Sequence, residues 1–184
     1  MSDLLTASAL SAALERVHHE NATYWSSFAT PDFFAPIGLA WSPADNVRHL
    51  TKSVRAVTRG LTMPRLVLRV LFGRAGRSSR PYDALVANYR AVLGNGGTAG
   101  SFAPNVQVAV LFTDTQRSRI MRAHAASIDA MRVAIERWDE DALDRVRLPH
   151  PLLGKLTVRE MLYFTVYHNQ HHVEVVKRRF SERR

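Results

Sequence analysis

Apolar positions along the chain recur at helical rather than alternating spacing, and local capping signals mark where the long segments begin. Leu10, Leu14, Val17, Trp25 and Phe28, with Asn21 among them, form one stripe, which predicts a first helix from about Ala7 to Phe28. Ser42-Pro43-Ala44-Asp45 supplies a Ser N-cap, a Pro at the first helical position and an acid three residues after the cap. A second helix should follow it, with Val47, Leu50, Val54 and Val57 on its apolar face. Thr113-Asp114-Thr115-Gln116 has the same form and precedes Ile120, Ile128, Met131 and Ile135. Thr157-Val158-Arg159-Glu160 precedes Met161, Phe164, Tyr167, Val175 and Val176. These two boxes predict the third and fourth helices.

The intervening stretches carry the breakers. Residues 29–41 read as a Pro- and aromatic-rich connection, and residues 139–156 as a loop with Pro149, Pro151 and Gly154. Residues 60–112 hold most of the glycines, including Gly94-Asn95-Gly96-Gly97. A short helix fits Pro81–Leu93, where Leu85, Tyr89 and Val92 share a face. Met63–Phe72 is apolar with two arginines and is expected to pack against the helices, although a surface-lying amphipathic helix has the same pattern. Val106–Phe112 is β-compatible but lacks a partner. The expected architecture is all-α, a four-helix bundle with a long crossover between helices two and three. It forms one domain over 1–184, with a basic, glycine-rich insertion at about 60–112.

Composition narrows the chemistry. The 184 residues are 46% apolar and 22% charged, which suits a packed core. Cysteine is absent, so disulfides, cysteine-ligated metals and a protein thiol nucleophile are excluded. No leader-like or membrane-spanning run is apparent, and a cytoplasmic location is expected. The formal charge is +9. No acid lies between Asp45 and Asp83, whereas Arg48, Lys52, Arg55, Arg59, Arg65, Arg69, Arg74, Arg77 and Arg80 fall inside that window. Lys177, Arg178, Arg179, Arg183 and Arg184 form a second cluster. A solvated basic face accounts for both. The alternative is a binding module whose Arg-rich segment contacts nucleic acid or an anionic surface. With Phe72 the only aromatic in 48–80, stacking on single-stranded nucleic acid has little support.

Eight histidines stand at 18, 19, 49, 124, 150, 168, 171 and 172. His168 and His172 are one helical turn apart, the spacing by which one helix aims two imidazoles at one ion. His168 with His171 is the competing pair. A third ligand must come from elsewhere. His49 lies on the apolar stripe of helix two, and His124 and His18 are its rivals on helices three and one. Asn169 stands where a zincin would place its glutamate, and no phosphate-binding glycine loop or serine nucleophile elbow is present.

Trp41-Ser42-Pro43-Ala44-Asp45-Asn46-Val47-Arg48-His49-Leu50 resembles the start of helix two in the DinB/YfiT-like superfamily. Leu156-Thr157-Val158-Arg159-Glu160, continuing to Tyr167-His168-Asn169-Gln170-His171-His172, resembles the last helix of that family. The resemblance implies a four-helix bundle with a divalent metal on His49, His168 and His172. It implies a metal-dependent enzyme of transferase, isomerase or hydrolase type that activates a thiol or water. A small-molecule substrate, a low-molecular-weight thiol and homodimer formation go with it. Three imidazoles suit zinc or nickel, and also iron or copper. Glu20 and Asp45 are candidates for orienting the imidazoles, Asp45 doubling as a capping acid. Protons should compete with the metal below about pH 6.

Overall fold

The structure is a computed structural model that describes residues 6–104 and 112–182. Three of its four long helices start at the residues that the capping signals mark, and the first starts at Ala7, where its apolar stripe places it. The four are α1 (Ala7–Ser26), α3 (Pro43–Thr62), α6 (Asp114–Ile135) and α8 (Val158–Ser181). Ser42, Thr113 and Thr157 each close a reciprocal capping box, with Asp45, Gln116 and Glu160 respectively. Both α1 and α3 pack on α6 and on α8.

The connections contain more structure than their sequence suggests. A short helix α2 (Thr30–Phe34) lies in the aromatic-rich stretch 29–41. Within 60–112 lie α4 (Arg65–Phe72) and α5 (Tyr82–Gly94), the latter close to the span expected. The loop expected at 139–156 instead contains α7 (Glu140–Arg145) and an antiparallel hairpin of β1 (Arg147–His150) and β2 (Gly154–Thr157). Asp139 caps α7 by accepting the Ala142 N–H at 2.7 Å. Gly154, at φ 72°, takes the left-handed conformation where the turn enters β2. Residues 106–111 of the β-compatible Val106–Phe112 segment lie outside the described residues.

As expected, Met63–Phe72 packs against the core, through α4, but on one stripe only. Leu68 is fully buried and Phe72 half-buried, but Leu66, Val70 and Leu71 are exposed. An eight-residue helix that rests on β1 covers one stripe only, and the other apolar positions face outward.

The buried apolar side chains fall into two clusters. One gathers Leu14, Val54, Tyr89, Met131, Leu148 and Met161 with their neighbours. The other gathers Trp25, Phe33, Val47, Leu50 and Val173. Between them every long helix contributes buried polar groups. Among these are Asn21 from α1, His49 and Thr51 from α3, His124 from α6, and His168 and Asn169 from α8. Burying polar groups at such a level is costly unless each has a partner.

Candidate metal centre

Part of that polar level converges on a point. The Nε2 atom of His168 lies 3.1 Å from Nε2 of His49 and 3.0 Å from Nε2 of His172. One ligand atom from each of the three falls within 4.8 Å of the others. His49 and His168 are each 4% exposed. Phe164 stacks on His168 at 4.8 Å, and Trp41 lies parallel to His172 at 6.2 Å.

The outer nitrogens set the tautomers. His49 Nδ1 lies 2.8 Å from the carbonyl of Phe102, which can only accept, so Nδ1 carries the proton. Asn46 donates its amide N–H to the Ser42 carbonyl at 2.8 Å, which leaves Oδ1 to accept from His172 Nδ1 at 2.7 Å. His49 and His172 therefore both present bare Nε2 lone pairs to the same point. A proton on His168 Nε2 would satisfy one of them and leave the other facing nitrogen. A cation satisfies all three. Two nitrogens each about 2.1 Å from one ion lie about 3.0 Å apart at a right angle and about 3.4 Å apart at the tetrahedral angle. The observed separations fall in that range.

Burial lowers the pKa of His49, and lowers those of His168 and His172 well below the ordinary imidazole value, with the neighbouring imidazoles adding to the effect. All three are neutral at physiological pH, as metal ligation requires. The triad can hold a metal ion.

The other candidates take different roles. His124 and His18 pack edge to face at 5.4 Å, and His124 Nδ1 lies 3.4 Å from Thr51 Oγ1. His171 meets the Tyr167 hydroxyl at 3.3 Å and stands beside the triad without joining it. Glu20 is exposed on α1. Asp45 is used by the Ser42 cap and by an ion pair with Arg48 at 3.1 Å. The groups that orient the imidazoles are instead Asn46 and the Phe102 carbonyl. Asn46 sits three residues before His49 on the buried side of α3, and a polar residue there is the signal that could have found it. The Phe102 carbonyl leaves no such trace, because any residue supplies one.

Asn46→Ala should weaken zinc binding by about 10- to 100-fold, the usual cost of removing an outer-sphere partner. Competition with a chromophoric chelator measures this. An unchanged affinity would mean that the Asn46–His172 bond does not orient the ligand.

A cleft of about 630 Å³ opens beside the triad. Its walls are mainly apolar, with Met63, Phe72, Leu93, Leu148, Leu152 and Met161 among them. His150, which sequence reasoning left unassigned, also lines it. His150 Nδ1 accepts the N–H groups of Leu152 and Leu153 at 3.2 and 3.0 Å, so its proton sits on Nε2. Burial lowers its pKa to about 4. Tyr89 reaches the same wall, its phenol pushed up to about 12 by burial.

No curated protein and no solved structure matches the chain. A family model does match, the DinB superfamily, over residues 13–176. That span runs from α1 to α8 and takes in all three convergent histidines, so the chain belongs to the DinB superfamily.

Proposed function

We propose that the protein is a metal-dependent enzyme, a four-helix bundle with a crossover, holding a divalent ion, zinc or nickel, on His49, His168 and His172. The observation that carries this reading is the convergence of unprotonated imidazole nitrogens at one end of a mainly apolar cleft. When bound, such an ion lowers the pKa of a coordinated water or thiol and so makes a nucleophile at neutral pH. The chain has no cysteine, so any thiol must arrive as a small molecule. The surrounding side chains would position a small-molecule electrophile. His150 offers an Nε2–H, and Tyr89, protonated at working pH, offers a phenolic O–H. The apolar walls exclude water from the reacting end. A cytoplasmic location and assembly as a homodimer go with this reading.

Use of the basic segment for nucleic acid is less favoured. Arg65 is committed to Asp139, and Arg77 and Arg80 to Glu160. Elemental analysis of untagged protein should find about one zinc or nickel per chain. The loaded protein should accelerate reaction of a chloro-dinitroaryl electrophile with a biological thiol or with water. That rate should vanish in His49→Ala. A preparation that retains no metal on loading, or a loaded one that accelerates neither reaction, overturns the reading.

A further inference from the structure

The cleft has a feature that metal binding leaves unexplained. Along α3, His49, Ser53, Ala56 and Gly60 follow one another on the cleft side, with Met63 just past its end. With about 100° between successive residues, Arg48, Lys52, Arg55 and Arg59 fall within about 60° of one another, on the strip adjoining that face. This strip lines a second hollow of about 820 Å³ between α3 and α6, to which Arg119 adds a further cation. No carboxylate lines either hollow among the described residues. Ala56, Arg59 and Phe102 belong to the walls of both, so the apolar space and the basic space adjoin there.

The cations of the strip differ in their commitments. Arg48 pairs with Asp45, and Lys52 donates to the Ser101 carbonyl. Arg55 and Arg59 are exposed, and their guanidinium groups make no hydrogen bond or ion pair among the described residues. Among the described residues, Arg59 is the one Arg or Lys side chain that reaches the apolar cleft. It lies ten residues beyond His49, roughly 15 Å along the helix axis. A polar end near the triad, a long apolar wall and a cation beyond it describe the chemistry of one kind of ligand.

We propose that the cleft and the strip together bind an amphipathic anion. Its apolar body packs against Met63, Phe72, Leu148 and Met161, its carboxylate or phosphate head pairs with Arg55 and Arg59, and its other end faces the histidines. A guanidinium suits either head group through paired N–H donors. A fully apolar ligand would leave the strip unused, and a small hydrophilic anion would leave the apolar walls wet. The direction of the ligand rests on the metal-centre reading, but its binding does not.

Calorimetric titration of metal-free and zinc-loaded full-length protein tests this with dodecanoate, dodecyl phosphate, dodecanol, acetate and inorganic phosphate. The two long-chain anions should bind at least tenfold more tightly than dodecanol, acetate or inorganic phosphate, with and without zinc. The better of the two heads identifies the natural one. In Arg55→Gln/Arg59→Gln, two exposed positions where the fold should persist, the advantage over dodecanol should disappear while dodecanol binding stays the same. Ala56→Phe, which adds bulk to the shared wall, should weaken all three long-chain ligands. The proposal is overturned if dodecanol equals the anions, or if the double variant keeps the anion preference. It is also overturned if that preference appears only with zinc, which would put the head on the ion. Tight binding to a protein that retains no zinc would sink the metal reading and leave this one standing.

Discussion

Zinc at about a thousand times its dissociation constant is expected to raise the thermal midpoint at pH 7.5 by roughly 10 °C, and His168→Ala should abolish the shift. Selective binding to the folded state at that excess stabilises by about 4 kcal/mol. For a chain of this size each kcal/mol moves the midpoint by about 2–4 °C. His168 is the decisive position because its Nε2 lies within 3.1 Å of both other ligands, one from α3 and one from its own helix. The test compares midpoints with and without zinc for each protein, so any cavity left by the substitution cancels. A variant that keeps the full shift would place the ion elsewhere.

The pH dependence has a definite sign. Burial lowers the three pKa values in the folded state, so the unfolded chain binds more protons below its imidazole value of about 6.5. This contribution to stability is fully present above about 6.5 and is lost as pH falls toward the lowered folded values. The midpoint should therefore be lower at pH 5.5 than at pH 7.5. The zinc increment behaves differently, because it shrinks only when protons enter the folded, metal-free site. From sequence, that loss is expected below about pH 6. Burial moves it lower, so the increment should shrink less between pH 7.5 and pH 5.5 than it would for solvent-exposed imidazoles. An increment already gone at pH 5.5 would mean that the imidazoles titrate as they do in water.

What the sequence revealed follows the range of the interactions. The caps at Ser42, Thr113 and Thr157 are contacts over three residues, so their signatures survive in the linear chain. The His168–His172 pair is likewise one turn of one helix. The β1–β2 hairpin was hidden because its strands are four residues each, with Pro149 and Pro151 reading as breakers. Its reason to form is tertiary, since Leu148 and Leu156 enter the core. Glu20 and Asp45 drew attention as acids, but His172 is oriented by a neutral amide 126 residues away in the chain. The basic window shows its limits in the same way. A count of arginines cannot separate Arg77 and Arg80, which are consumed internally, from Arg55 and Arg59, which are not.

Glu160→Ala should destabilise the fold by about 1.5–3 kcal/mol, the usual contribution of hydrogen bonds to a charged group, because the carboxylate is buried but its arginine partners reach water. Its side chain is 0% exposed. Arg77 grips both carboxylate oxygens, at 2.6 and 2.9 Å, and Arg80 donates from its Nε at 2.9 Å and its backbone N–H at 2.8 Å. The Thr157 N–H adds a further bond at 3.0 Å, so the acid that caps α8 also anchors the chain between α4 and α5. Hydrogen bonds from Arg77 and Arg80 outweigh the burial that opposes them and hold its pKa at about 2, against 4.5 ordinarily. A depressed carboxylate pKa stabilises above the unfolded value of about 4.5, and that contribution is lost as pH falls through about 2. Denaturant unfolding at pH 7 measures the cost, and Glu160→Gln, which keeps shape but not charge, should fall between wild type and alanine. Phe72 and Leu93 stand on either side of the anchored stretch and line the cleft. Glu160→Gln should therefore weaken dodecanoate binding while leaving the zinc-induced midpoint shift intact. A loss below 1 kcal/mol in the alanine variant would show that the arginines find water as good a partner. Equal losses of zinc and dodecanoate binding in the glutamine variant would show that the anchor serves the whole fold rather than the cleft wall.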